Sequence, residues 1–235
     1  MLKVSKQPTG QPEIFHSLQG EGPTAGTPTV FLRLALCNLS CTWCDTKYTW
    51  DWHNLDYTKE VMPISPEEVE SRVLAYGCPH LVITGGEPLL QQGDLAPLVT
   101  SLNRGDVFCE VETNGTIEPS QDMARFVDQW NVSPKLENSG NHPDRAERPQ
   151  ALGAFAQLPN AYFKFVVSQP PDIEEVRRLQ EKYGLPSHRI LLMPEGTTAE
   201  KVQDNGRWVA QACTREGYRF STRLHILLWG DQRGW

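Results

Sequence analysis

Long apolar runs are missing from this chain. None reaches the length of a membrane span, which excludes a helical membrane protein. Residues 1–11 are polar and lack the apolar core of a signal peptide. Cytoplasmic residence is therefore the expectation, and disulfides are rare there. Positive charge is short as well: 22 Lys and Arg stand against 29 Asp and Glu, a formal net charge of −7. That balance excludes a broad footprint for nucleic acid, although a few basic side chains suffice for a small anion. Internal repeats and low-complexity linkers are absent, so the chain is not a repeat array. What remains is 235 residues, 39% hydrophobic and 22% charged. That is enough for one domain over residues 1–235 with a sizeable core.

Cysteine is scarce and unevenly placed. Cys78, Cys109 and Cys213 stand alone, so there is no disulfide framework and no second spaced pair of the zinc-ribbon kind. The other three crowd into Cys37-Asn38-Leu39-Ser40-Cys41-Thr42-Trp43-Cys44, a C-x3-C-x2-C spacing. One short loop thus presents three thiolates, soft ligands that suit an iron–sulfur cluster. A cubane cluster has four irons, so three local ligands leave one iron open to a substrate or cofactor. An electron carrier would close that position with a fourth cysteine. A structural zinc is the alternative, with His16 or His53 completing a Cys3His set.

Strand-like and helix-like segments alternate along the chain. Residues 29–36 are apolar and β-rich and run into the cysteine loop. A helix is predicted over 65–76, with Ser65 as N-cap, Pro66 in the first helical position and Glu68 closing a capping box. Residues 81–84 read as a short buried strand before Gly85-Gly86, 94–103 as a helix, and 108–113 as a strand ending at Asn114-Gly115. Residues 119–130 are predicted helical and 131–133 a brief strand. Next come a strand over 162–167 and an amphipathic helix over 172–183 with Ile173, Val176 and Leu179 inward. A strand over 190–193, a helix over 198–215 and a last β segment over 218–226 complete the reading. This alternation predicts an α/β fold with a parallel sheet and helical crossovers. About six strands are too few for a closed eight-stranded barrel, so a partial, open barrel is predicted. Active sites in such sheets gather at the carboxyl ends of the strands, and the Gly and polar clusters fall there. Residues 50–62 and 136–148 are polar and irregular, lids or surface loops by composition.

The triplet Cys37, Cys41, Cys44, followed by Thr84-Gly85-Gly86-Glu87-Pro88, resembles the radical S-adenosylmethionine superfamily. The resemblance implies a (β/α)6-type radical SAM barrel carrying a 4Fe–4S cluster. The amino and carboxylate groups of S-adenosylmethionine would bind its open iron. The glycine pair would let the backbone approach the methionine end of that cofactor, where a Cβ would obstruct. A narrower resemblance covers nearly the whole chain. The blocks Ile14-Phe15-His16-Ser17-Leu18-Gln19-Gly20-Glu21-Gly22, Phe31-Leu32-Arg33 and Cys44-Asp45-Thr46 are similar to the 7-carboxy-7-deazaguanine synthase family. So are Glu112-Thr113-Asn114-Gly115, Ser133-Pro134-Lys135 and the tail Leu224-His225-Ile226-Leu227-Leu228-Trp229-Gly230, in the same order and spacing.

That family contracts the ring of 6-carboxy-5,6,7,8-tetrahydropterin to 7-carboxy-7-deazaguanine and releases ammonia, on the way to queuosine and other deazapurines. The resemblance implies a deoxyadenosyl radical that takes the C6 hydrogen and later returns one, so S-adenosylmethionine is regenerated. It implies Mg2+, a reductant such as flavodoxin, and a homodimer. It places Thr46 as a magnesium ligand, a hydroxyl that suits a hard cation which keeps most of its waters. It places Thr84 on the substrate, and by their own chemistry Gln19 and the backbone of Leu18 and Gly20 offer donors and acceptors for the pterin. Gly86, Ser133, Pro134 and Lys135 fall on S-adenosylmethionine, as do Met193, Pro194, Glu195 and Gly196.

Residue chemistry supports part of this. Arg33 offers a planar fork for a carboxylate at a strand end, or is a surface arginine. Gln-Gly-Glu-Gly is also an ordinary turn composition, Thr46 an ordinary cap, and Lys135 an ordinary surface lysine. Trp43 shields the cluster, lines the adenine pocket or simply packs, and Asp45 shapes the same loop. No residue is expected to act as an acid or base. The chain departs from some family members in its short cysteine spacing and in its tail. Arg233 and Trp235 there are candidates for a partner subunit. Two rivals stand beside this reading: a glycyl-radical activase with a similar triplet, and a non-enzymatic zinc module or electron carrier.

Overall fold

Apolar alternation along the strands decides both the pairing and which way the sheet faces. The computed structural model describes residues 1–234. Its strands are β1 (Leu2–Ser5), β2 (Ile14–Leu18), β3 (Pro28–Leu34), β4 (Val61–Ile64) and β5 (His80–Gly85). They continue as β6 (Phe108–Thr113), β7 (Gln129–Val132), β8 (Ala161–Val167), β9 (Ile190–Pro194) and β10 (Arg219–Phe220). Strands β3, β5, β6, β7, β8 and β9 lie parallel in that order, with β10 parallel to β9. β1 and β2 run antiparallel along the other side of β3, and β4 pairs with β1. The sheet path ends at β10 and β4 without closing, so the barrel is partial and open as predicted.

Successive side chains of a strand point to opposite faces. One set, including Leu32, Ile83, Val111, Trp130, Phe163 and Leu192, packs under the crossover helices in a continuous apolar core. Each such buried side chain is worth about 1.5–3 kcal/mol. The alternate set faces the concave side and is largely polar: Arg33, Thr84, Glu112, Asn131 and Lys164. The helix Pro66–Leu74 starts as expected, with Ser65 Oγ accepting the Glu68 N–H at 3.2 Å. The helix Asp172–Tyr183 buries Ile173, Val176 and Leu179.

Three expectations need correction. The helix predicted over 119–130 is only Gln121–Phe126, and Val127 is already extended. Trp130 belongs to β7, fully buried with its ring 5.2 Å from Phe155, so core packing overrides the helical pattern. The β segment predicted over 218–226 is a two-residue strand followed by the helix Leu224–Trp229. The Leu224 N–H donates to Gly20 O at 2.9 Å, which turns the chain over the loop after β2 and buries Ile226. Third, β1, β2, β4 and the helix Pro149–Gln157 escaped the pattern: the strands are only four or five residues long, β1 and β2 are interrupted by polar residues and β4 by a proline.

Arg233 packs on its own chain, 3.3 Å over the Tyr48 ring and 2.8 Å from Glu60. Trp235 lies outside the described residues. No helix among the described residues is long and apolar enough to cross a membrane.

The segment 136–148 is tied down at Glu147. Its carboxylate accepts from Lys182 Nζ at 2.6 Å, Tyr183 OH at 2.7 Å and Arg178 Nη2 at 2.8 Å. Burial alone would raise this carboxyl, but the donors from Arg178, Lys182 and Tyr183 hold it down at about 2. A carboxyl depressed in the folded state stabilises fully above its ordinary value and loses that contribution as pH falls toward the folded one. Glu147→Gln is therefore expected to flatten the acid limb of stability below about pH 4.5, read by circular dichroism across a pH series.

Candidate active site

The carboxyl ends of the parallel strands open into one cavity. Arg33 of β3 stands in register with Thr84 of β5, and Glu112 of β6 with Asn131 of β7. Lys164 of β8 and Met193 of β9 continue the lining. Beneath them lies Glu110, fully buried, which receives Gln19 Nε2 at 2.6 Å and Thr24 Oγ1 at 2.7 Å and meets His80 Nε2 at 3.0 Å. This knot closes the floor.

A row of alternating charges crosses the cavity wall. Asp45 pairs with Arg223, Arg223 with Glu21, and Glu21 with Lys164. Glu112 follows at 3.9 Å from Lys164 Nζ. Burial alone would raise the Glu21 carboxyl, but the Lys164 ammonium and then the Arg223 guanidinium hold it well below the usual carboxylate range. Burial pushes the His225 imidazole below its ordinary value, toward the neutral form. A Cβ on Gly20 would fall 2.2 Å from His225 Nδ1, so this approach needs glycine.

The chain leaves β3 through Leu36, whose φ of 74° is left-handed, and enters the cysteine loop. Gly86 underlies that exit: its N–H donates to Leu34 O at 2.9 Å, and a Cβ there would lie 2.0 Å from Leu36 O. The glycine pair is thus required by the close crossing of two backbone segments. Glu87, fully buried, locks the turn to β6 by accepting Asn114 N at 2.7 Å and Thr113 Oγ1 at 2.8 Å.

Cys37, Cys41 and Cys44 all line the cavity. Burial pushes the Cys37 thiol up to about 12 and raises Cys41 as well, with the Lys135 ammonium opposing in both. Cys78, Cys109 and Cys213 lie elsewhere, each donating its S–H to a backbone carbonyl. No fourth cysteine is therefore at hand. Among the described residues, no three His, Cys, Asp or Glu side chains converge as a single-ion cage. A zinc site needs such convergence, whereas thiolates on a cubane reach separate irons. Neither His16 nor His53 lines the cavity. The donor set fits a three-cysteine cluster with one open iron.

Residues 34–134 match the family model described as the Radical SAM superfamily. Over 225 residues the chain is 42% identical to the 7-carboxy-7-deazaguanine synthase of Pyrobaculum aerophilum, an alignment spanning 94% of this chain and 95% of that one. The chain belongs to the 7-carboxy-7-deazaguanine synthase family. A relative of the same name from Halobacterium salinarum is 35% identical, over 93% of this chain and 90% of its own. A solved structure of QueE from Escherichia coli superposes with a TM-score of 0.71 at 30% identity, covering 95% of each chain.

Most residues expected from the family resemblance reach the cavity. Leu18, Gln19, Gly20, Trp43, Asp45, Thr46, Gly86, Ser133, Lys135 and Glu195 line it with Arg33, Thr84, Met193 and the cysteines. Their engagements differ. The Gln19 amide is spent on Glu110 at 2.6 Å and Glu112 at 3.4 Å, so its side chain serves the floor. Arg33 gives Nε to the buried Glu13 at 2.8 Å. Among the described residues its one side-chain bond is through Nε, and its terminal nitrogens are left to the cavity it lines. Trp43 donates its indole N–H to Asn138 O at 3.1 Å and lies 5.6 Å under Lys135 Nζ. Thr46 Oγ1 sits 3.6 Å from Cys44 Sγ.

Pro134, Pro194 and Gly196 do not line the cavity. Pro134 borders a neighbouring groove with Leu179, Pro194 is buried beside the inward Met193, and Gly196 gives its carbonyl to Arg223 at 2.6 Å. The sequence reading missed Glu21, Glu112, Asn131, Lys164, Arg223 and His225 as site residues. Lys164 carried a signal, a lone charge in the apolar run Ala161–Val167. Glu21, Glu112 and His225 lay inside blocks that resemble the family, whereas Arg223 carried no signal.

Proposed function

We propose that this chain converts 6-carboxy-5,6,7,8-tetrahydropterin to 7-carboxy-7-deazaguanine, with release of ammonia. The observation that carries the reading is the meeting of three thiols and a buried charged lining in one cavity, in a chain of this family. The conversion loses one ammonia and needs no net oxidant, which agrees with a cofactor that is used and restored.

When bound, the 4Fe–4S cluster with S-adenosylmethionine supplies the radical that removes and returns a hydrogen atom. Cys37, Cys41 and Cys44 would hold the cluster. Ser133 and Lys135, joined at 2.8 Å, Gly86, Met193 and Glu195 are assigned to S-adenosylmethionine. Trp43 and Asp45 shape its loop, and Thr46 is assigned to Mg2+. Arg33 holds the substrate carboxylate through its terminal nitrogens, with Glu13 fixing the guanidinium plane. The backbone at Leu18 and Gly20 and the side chains of Thr84, Glu112, Asn131 and Lys164 offer donors and acceptors for a flat pterin. The polar floor around Glu110 keeps that lining in one arrangement.

The same reading carries a homodimer, a one-electron reductant such as flavodoxin, cytoplasmic residence and a single domain over residues 1–235. One core cluster running from Leu2 to Tyr218 supports the last. The test is anaerobic turnover of the reconstituted chain with the pterin, S-adenosylmethionine, magnesium and a reductant, followed by mass spectrometry. A 7-carboxy-7-deazaguanine peak is expected. Deoxyadenosine without that product would overturn the substrate, and neither product from cluster-loaded protein would overturn the reaction.

A further inference from the structure

The two irregular segments each send one side chain to a cysteine sulfur. Trp50 Nε1 lies 3.3 Å from Cys44 Sγ, and Asn141 Nδ2 lies 3.1 Å from Cys41 Sγ. The direction of both bonds is fixed. An indole N–H only donates. The Asn141 amide is oriented by its Oδ1, which accepts the Ser40 N–H at 3.0 Å and leaves Nδ2 facing the sulfur. Cys37 is served by the Leu39 backbone N–H rather than by a side chain: Asn114 Nδ2 is 4.0 Å away and its closer partner is Asn38 Oδ1 at 2.9 Å.

Both donors are held in place. The Trp50 backbone N–H donates to Lys47 O at 3.0 Å, and the Leu36 backbone N–H to Thr49 O at 2.7 Å, which pins this turn to the entry of the cysteine loop. On the other side the Thr42 N–H donates to Ser139 O at 3.0 Å. A Cβ on Gly140 would fall 2.7 Å from Thr42 Cγ2, so glycine lets residues 136–148 dock there. Trp50 and Asn141 are themselves half-buried.

We propose that Trp50 and Asn141 are positioning residues that raise the reduction potential of the 4Fe–4S cluster held by Cys37, Cys41 and Cys44. The proposal rests on the cluster reading above. One added electron increases the negative charge on the cluster and its sulfurs. A fixed N–H donor stabilises the more negative state more, and hydrogen bonds to the sulfurs are a known lever on such potentials. The packing of the two segments buries Cys41 and half-buries Cys44, so the donors act there with less competition from solvent.

The test is a mediated redox titration of the reconstituted full chain, without S-adenosylmethionine, followed by electron paramagnetic resonance. Trp50→Phe keeps the ring and removes the N–H, and Asn141→Ala removes the amide. Each is expected to lower the reduced-to-oxidised ratio at a fixed potential about threefold. The double variant should lower it about tenfold, a shift of about 59 mV for one electron. Iron content must match the parent protein for the comparison to count. In the unsubstituted protein carrying 15N-indole tryptophan, pulsed resonance of the reduced cluster should show a weak indole nitrogen coupling that Trp50→Phe abolishes. That measurement decides the matter even where Asn141→Ala loses the cluster. An unchanged potential in the iron-replete double variant, or no indole coupling in the parent, overturns the proposal. A parent protein that takes up no 4Fe–4S cluster overturns the cluster reading itself, and the inference with it.

Discussion

Cys41→Ala is expected to abolish 7-carboxy-7-deazaguanine formation and to leave the fold standing. The side chain is small, its residue is 7% exposed, and its one side-chain partner is Asn141 on a docked loop. Losing it from a loop outside the main apolar core should change stability by about 1 kcal/mol, a typical single-substitution cost. Chemistry has no such tolerance. Three sulfurs leave one iron open, and two leave a second iron unheld. No other thiol can step in, because Cys78, Cys109 and Cys213 do not line the cavity. The expected loss is the whole rate enhancement, more than about 10^6-fold. Iron content, product mass and a thermal melt separate the cases. Undiminished product from a variant with no cluster would sink the reading of the triplet.

The cysteine loop, the glycine turn and the six parallel strands were legible because each rests on local information. Spacing announces the thiols, and Gly85 and Gly86 are demanded by a backbone crossing that only small residues permit. Phe108–Thr113 and Asp172–Tyr183 have the bounds their patterns predict. What failed depends on distant parts of the chain. Trp130 enters a strand because Phe155 and the sheet bury it, a contact no short window contains. The tail becomes helical where it folds over Gly20, many residues earlier in sequence.

The charged lining was hidden for a related reason. Glu110 and Glu112 alternate with apolar residues in β6, the pattern of an ordinary half-exposed strand. In this sheet the concave face carries the cavity, so Glu110 is fully buried and Glu112 half-buried, and both must find partners. Their partners come from Gln19, Thr84 and Lys164, and the row continues through Glu21 to Arg223. Charge pairing across five elements cannot be read from one-dimensional spacing. The undecided segments 50–62 and 136–148 are likewise explained only in three dimensions, where both pack against the cysteine loop.

Lys164→Met is the substitution expected to cost the fold most. The ammonium is 6% exposed, pairs with Glu21 and stands 3.9 Å from Glu112. Removing it strands Glu21, whose other cation, Arg223 at 3.2 Å, is shared with Asp45, and takes the nearest positive charge from Glu112. Breaking a buried pair from one side costs about 3–5 kcal/mol, because the remaining charge keeps its desolvation penalty. In a domain of this size each kcal/mol lowers the melting temperature by about 2–4 °C. A fall of about 6–20 °C is therefore expected in the cluster-free protein. The acid limb should move too. Glu21 is depressed in the folded state, so its contribution is present above the ordinary carboxylate value and is lost as pH falls below it. Without Lys164 the depression shrinks, and Glu21 contributes less at neutral pH and protonates earlier on acidification. Glu21→Gln in the Lys164→Met background should restore part of the melting temperature, since it removes one stranded charge. A double variant no more stable than Lys164→Met would mean that the pair is not coupled. Melts of the cluster-free chain keep this result apart from any effect on turnover, since Lys164 also lines the cavity.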